Sequence, residues 1–248
     1  MGLASQDFRF GMGSNIASES YFIAGAIIFC LILFVTSLIN FSFSSAYVAD
    51  YVENEGEIES KRIWNSIINS LGTIFVFILI GGLIVVAYFI ISMVLAFIPL
   101  LGMLAQYGLN FTLSAVFGLT FMSIFSTGKG VGDALSEGFS FTMSNFWRIV
   151  LYGLVIGILN AMITMLIISI PSVIIGIYAY FSIESSIDLT TSGFATFIFT
   201  LGFAAFILSF IYTQALSQIS YGILYYNLNE VKYNLFLQKK IDEIGVNE

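Results

Sequence analysis

Scarcity of charge constrains this chain more than any motif it carries. Only 9% of its 248 residues are Asp, Glu, Lys or Arg, and 58% are hydrophobic. A soluble domain of this length carries about 25% charged residues. A chain so poor in charge cannot cover itself with a polar surface, so lipid must be its solvent over much of its length. The sequence therefore predicts an all-α, polytopic integral membrane protein.

Five apolar runs are long enough to cross a bilayer, which takes roughly 20 residues. They are Tyr21–Tyr47, Leu71–Ile98, Leu109–Phe125, Ile149–Ile170 and Phe194–Tyr221. Residues 1–20 form a polar N-terminal segment, residues 21–224 a single membrane domain and residues 225–248 a tail. Within the membrane domain one segment appears twice. Leu79–Pro99 superposes on Leu151–Pro171 at a constant offset, with Leu79/Leu151, Gly81/Gly153, Ile84/Ile156, Ile91/Ile163, Met93/Met165, Ile98/Ile170 and Pro99/Pro171 identical. Pro99 and Pro171 are the only prolines. This predicts an internal repeat with units of about 57–126 and 130–224, a common plan for polytopic proteins.

Two polar connectors separate the spans. In the first, Glu53, Glu55, Glu57 and Glu59 alternate with other residues, which reads as a solvated loop without calcium-loop spacing. Ile63, Trp64, Ile67, Ile68 and Leu71 then share one helical face, predicting a short interfacial helix ahead of the second span. In the second connector, Asp133 can cap a helix whose Leu135, Phe139, Met143 and Phe146 recur at helical spacing. It ends at Trp147 and Arg148, giving a second interfacial helix. Trp64, Trp147 and Arg148 are the expected interface anchors. After Pro171, Ser172–Phe181 is too short to cross, and either prolongs the fourth span with a kink or re-enters the membrane. In the tail, Tyr233, Leu237, Ile241 and Ile244 make a helical stripe.

Basic residues set orientation. Lys61, Arg62, Lys129, Arg148, Lys232, Lys239 and Lys240 share one side of a five-span chain, and Arg9 alone lies on the other. The excess of Lys and Arg on cytoplasmic loops places the N-terminus outside and the C-terminus in the cytoplasm.

Several chemistries are closed to the chain. It has no histidine and one cysteine, Cys30, so it has no His-based catalysis, no His–Cys zinc site and no internal disulfide. Its formal charge of −7 does not suit nucleic acid. Every Asp and Glu lies outside the predicted membrane cores, which argues against ion-coupled transport and voltage sensing. Asp133 and Glu137 stand at i and i+4, a spacing suited to acid–base work, but it reads as an exposed helix face. No catalytic residue, metal site or cofactor is expected. Asn160 and Gln214 are polar groups within spans, available for hydrogen bonds between helices or for a pathway. Gly81, Gly82, Gly153 and Gly157 read as sites of close helix packing.

The connector DALSEGFSFTMSNFWRIV (Asp133–Val150) and the ending LYYNLNEVK (Leu224–Lys232) resemble those of bacterial polytopic membrane proteins of the glycerophosphodiester-phosphodiesterase membrane-domain-like group and related inner-membrane families. Asn227 and Asn229 stand where that group carries more charge. The resemblance implies a multi-pass protein of the bacterial cytoplasmic membrane. Catalysis in the named enzymes belongs to a separate soluble barrel that this sequence does not contain. The expected function is a non-catalytic subunit or scaffold of a membrane complex, with the lipid bilayer and other membrane subunits or a second copy as partners. The alternative is a transporter or channel component for a small or lipid-like solute.

Overall fold

Helices carry all five apolar runs. The computed structural model describes residues 16–184, 193–234 and 241. Among these are six helices: α1 (Ile16–Glu53), α2 (Ser60–Leu95), α3 (Leu101–Thr127), α4 (Val131–Ser144), α5 (Phe146–Glu184) and α6 (Gly193–Tyr233). All but α4 are long and apolar enough to cross a membrane, so the chain is an integral, multi-pass membrane protein. Leu237 and Ile244 of the tail stripe, and residues 1–15 of the polar N-terminal segment, lie outside the described residues.

The first predicted interfacial helix is not a separate element. Residues 60–71 are the opening turns of α2, whose 36 residues extend about 54 Å at the usual rise. That exceeds a hydrocarbon core of about 30 Å, so the polar opening turns can stand beyond it. Nothing in the sequence breaks the helix between Leu71 and Thr73. The segment predicted as the second interfacial helix does form a helix of its own, α4, but it ends at Ser144, and Trp147 and Arg148 open α5 instead.

The matched prolines have different outcomes. At Pro99 the chain leaves α2 and starts α3 within a few residues, with Leu100 at φ +61°. The turn is so tight that a Cβ on Gly102 would lie 2.0 Å from the Leu95 carbonyl oxygen. Only glycine fits there. At the offset of the repeat, Gly102 corresponds to Ile174, which could not enter such a turn. The helix instead runs through buried Pro171 to Glu184, so Ser172–Phe181 prolongs α5.

The chain divides into two compact units, residues 1–40 with 159–214, and residues 41–158 with 215–248. In the first unit both polar and aromatic contacts link the helices. Asn40 donates to the Ile211 carbonyl (2.7 Å), Gln214 to Ser37 Oγ (2.9 Å) and Ser209 to Thr164 Oγ1 (3.0 Å). Phe29 packs on Phe203. In the second unit α3 is the central helix, with Ala115, Leu119 and Met122 fully enclosed. Its small and hydroxyl residues make it the least hydropathic of the five spans, which a helix facing protein on most sides tolerates. The second unit's core adds Val48, Phe141, Ile149, Tyr221, Leu224, Tyr225 and Leu228.

Candidate functional site

The second unit gathers its charge at the ends of its helices. α4 is held there by a face of small and aromatic residues, Val131, Ala134, Gly138, Phe141 and Thr142, all buried. Gly138 allows the closest approach to α3, since a Cβ would sit 2.6 Å from Thr120 Oγ1 and 2.9 Å from the Val116 carbonyl oxygen. The predicted apolar stripe is a different one. Of that stripe Phe139, Met143 and Phe146 are exposed, Phe146 as the first residue of α5, and Leu135 is half-buried.

Glu137 borders the buried face of α4, and its side chain is only 10% exposed. Lys129 donates to its Oε1 at 2.7 Å. Ser123 Oγ and the Tyr225 hydroxyl donate to its Oε2, the latter at 3.2 Å. One carboxylate therefore joins α3, the α3–α4 connector, α4 and α6. Burial works to raise the Glu137 pKa, but the hydrogen bonds from Lys129 and Ser123 and the lysine charge outweigh it and hold the carboxyl below its usual range. Burial likewise opposes the Lys129 charge, and the Glu137 carboxylate overcomes it, raising the ammonium pKa. A carboxylate held ionised with both oxygens engaged is a poor proton acceptor. The i, i+4 pair thus divides: Asp133 is exposed, while Glu137 is turned inward rather than lying on an exposed face.

Three further contacts complete this end of the unit. Asp50, 8% exposed, accepts from Arg62 Nε at 2.7 Å and from the Glu59 backbone N–H at 3.2 Å, so the last turn of α1 stabilises the start of α2. Arg148 at the start of α5 donates to Asn227 of α6 at 2.6 Å. The Lys232 ammonium lies 5.0 Å from the centre of the Phe141 ring.

Other sequence candidates are dispersed. Trp64 and Trp147 are 49% and 75% exposed, each near the start of a long helix. Gly153 packs on Phe111, where a Cβ would lie 2.9 Å from the Phe111 Cβ. A Cβ on Gly81 would meet ring edges of Phe117 at 3.8 Å and Phe77 at 3.9 Å, ordinary contacts, and one on Gly82 would meet nothing within 4 Å. Gln214 donates to Ser37 of another helix, and Asn160 is half-buried within α5. Sequence reasoning passed over Asp50 and read Glu137, with Asp133, as an exposed helix face. Two signals were present: each acid lies within a dozen residues of a base, and Tyr225 recurs with Tyr221 and Gln218 on one face of α6. No group of three or more His, Cys, Asp or Glu that could hold a metal exists among the described residues.

No protein-family model matches the chain, and neither a curated protein nor a solved structure does so.

Proposed function

We propose that this protein is a non-catalytic membrane subunit or scaffold that presents α4 and the adjoining helix ends to a partner subunit on the cytoplasmic side. The observation that carries this reading is the Glu137 junction. A carboxylate that spends both oxygens holding α4 against α3 and α6 serves to fix a platform, and is ill suited to turnover. The orientation rests on the basic residues. Lys61, Arg62, Lys129, Arg148 and Lys232, all in the second unit, lie at or beside helix ends, and the Arg148–Asn227 and Lys129–Glu137–Tyr225 contacts gather three of those ends. The resemblance to multi-pass proteins of the bacterial cytoplasmic membrane supports the same placement.

The test is purification from native membranes in mild detergent through a tag after Glu248, with bound proteins quantified. The expected result is one membrane protein in fixed stoichiometry, released by Glu137→Ala. Solute flux through liposomes containing this chain alone would overturn the proposal.

Transport is the second reading, favoured by one observation. Pro171 lies inside α5, where it removes a backbone hydrogen bond, and a Cβ on Gly202 of α6 would lie 3.9 Å from its ring. Flux abolished by Pro171→Ala in a folded protein would select it.

A further inference from the structure

Most of the second half of α3 is enclosed by its own chain, but the first half turns one face outward. Met103, Tyr107, Asn110 and Ser114 recur at intervals of four, three and four residues, and all four are exposed. This face is polar as well as apolar. The Tyr88 hydroxyl of α2 donates to Asn110 Oδ1 at 3.2 Å. Among the described residues the Asn110 NH₂ has no acceptor. The amide therefore keeps both donors, and a second lone pair on Oδ1, for a partner outside the chain.

The amide lies in hydrocarbon wherever α3 sits along the bilayer normal. The 27 residues of α3 extend about 40 Å, about 10 Å more than the hydrocarbon core that the helix crosses. Sliding the helix frees no more than its first 10 Å or so. Asn110 stands nine residues, about 14 Å, from the start of α3 and 17 residues, about 26 Å, before its end. Ser114 is deeper still. Tilting the helix shortens its reach and tightens the limit. Neither water nor a headgroup reaches that depth, and acyl chains offer no acceptor, so an amide left facing them is costly. What covers it is a membrane helix with an acceptor at the same level.

A second copy of this chain meets that condition by symmetry. Two copies share one orientation in the membrane, so a two-fold axis along the bilayer normal sets each Asn110 against the other at equal depth. Asparagine carries donor and acceptor together, so each NH₂ donates to the free lone pair on the other copy's Oδ1. The four-three-four spacing is that of a left-handed helix pair, in which a single asparagine fixes the register. No charge lies on the seam to repel its own image. We propose that α3 pairs with α3 of a second copy along Met103, Tyr107, Asn110 and Ser114, through reciprocal Asn110 hydrogen bonds. This face is distinct from α4, and the proposal does not rest on the scaffold reading.

The experiment places p-benzoylphenylalanine in the intact chain at Tyr107, on the seam, or at Phe75, an exposed position on α2. Irradiation in native membranes identifies the occupant. The Tyr107 probe is expected to give an adduct of twice the mass of one chain, and the Phe75 probe lipid adducts. The Tyr107 chain is then diluted in vesicles of phosphatidylethanolamine and phosphatidylglycerol, and the density giving half-maximal pairing is read. Asn110→Leu should raise that density by about threefold for each hydrogen bond lost, or roughly eightfold for the pair. Asn110→Gln, which keeps the amide, should recover part of the loss. A Tyr107 adduct of another mass would assign the face to a different subunit, and lipid adducts alone would assign it to the bilayer. Either result, equal pairing from both probes, or a density unchanged by Asn110→Leu would overturn the proposal. The two probes are compared on a chain with native Asn110, so a variant that fails to fold leaves the proposal testable.

Discussion

Replacing Gly138 with alanine tests the α3–α4 packing without altering any charge. A Cβ at this position would lie 2.6 Å from Thr120 Oγ1, 2.9 Å from the Val116 carbonyl oxygen and 3.1 Å from the Thr120 backbone nitrogen. Two of these are backbone atoms. The third is pinned, because Thr120 Oγ1 already donates to the Val116 carbonyl at 2.6 Å. No rotamer change relieves the contact, so α4 must move off α3, and overpacking of this kind costs roughly 1–3 kcal/mol. Alanine also gains up to about 1 kcal/mol of helix propensity over glycine. Gly132 separates the two effects. It lies in the same helix, and a Cβ there meets nothing within 4 Å. The propensity gain enters both variants and largely cancels, leaving the steric term. At about 2–4 °C per kcal/mol for a chain of this size, Gly138→Ala should melt about 2–12 °C below Gly132→Ala. Tryptophan fluorescence on heating in detergent micelles reads this, because Trp147 adjoins the α4–α5 junction. A Gly138→Ala protein as stable as Gly132→Ala would refute the packing.

Three other substitutions or conditions follow from the same geometry. Gly153→Ala forces a Cβ against Phe111 and should lower stability by roughly 1–2 kcal/mol, whereas Gly81→Ala should be neutral or slightly stabilising, as compared by thermal melts. Gly102→Ala places a Cβ on the Leu95 carbonyl, so the α2–α3 turn must open, at roughly 3 kcal/mol or more. A sharp loss of folded yield, with no matching loss for Ile174→Ala, is the expected readout. The Lys129–Glu137 pair sets a pH dependence. Glu137 is lowered from its ordinary value of 4.5, so its contribution is complete above that pH and fades as pH falls through the lower folded value. Lys129 is raised from 10.5, so its contribution is complete below that pH and fades as pH rises through the higher folded value. The melting difference between the native chain and Glu137→Gln should therefore stay flat between these limits and shrink beyond either one.

Hydropathy made the five spans legible, because each is a long run with almost no charge. It placed the ends less well. Residues 99–108 carry no charge and read as a turn, yet α3 begins at Leu101 because Gly102 lets the chain reverse in a few residues. Residues 60–71 read as a separate interfacial helix because their polar face is clear, but an amphipathic pattern does not mark where a helix ends. The α4 stripe was found by spacing, and the structure shows that it is mostly the face that protein leaves open. Its packed face is small residues, which hydrophobic periodicity weights weakly. Glu137 was harder. A carboxylate on an amphipathic helix reads as solvated, and of its three partners two lie on other helices, with Tyr225 88 residues away. Asp50 was hidden for a related reason. α1 runs on to Glu53, into the start of the stretch that reads as an acidic loop, and Asp50 in its last turn meets Arg62 across that loop.

Hydrogen exchange of the α4 backbone, followed by mass spectrometry on the chain in lipid nanodiscs, tests most directly whether Glu137 fixes α4 as a platform. If it does, amides between Ala134 and Thr142 exchange slowly in the native chain, and Glu137→Ala speeds them while the central amides of α3 stay protected. Fast exchange across α4 in the native chain, or exchange unchanged by Glu137→Ala, would mean that α4 merely rests on lipid and that the junction holds nothing in place.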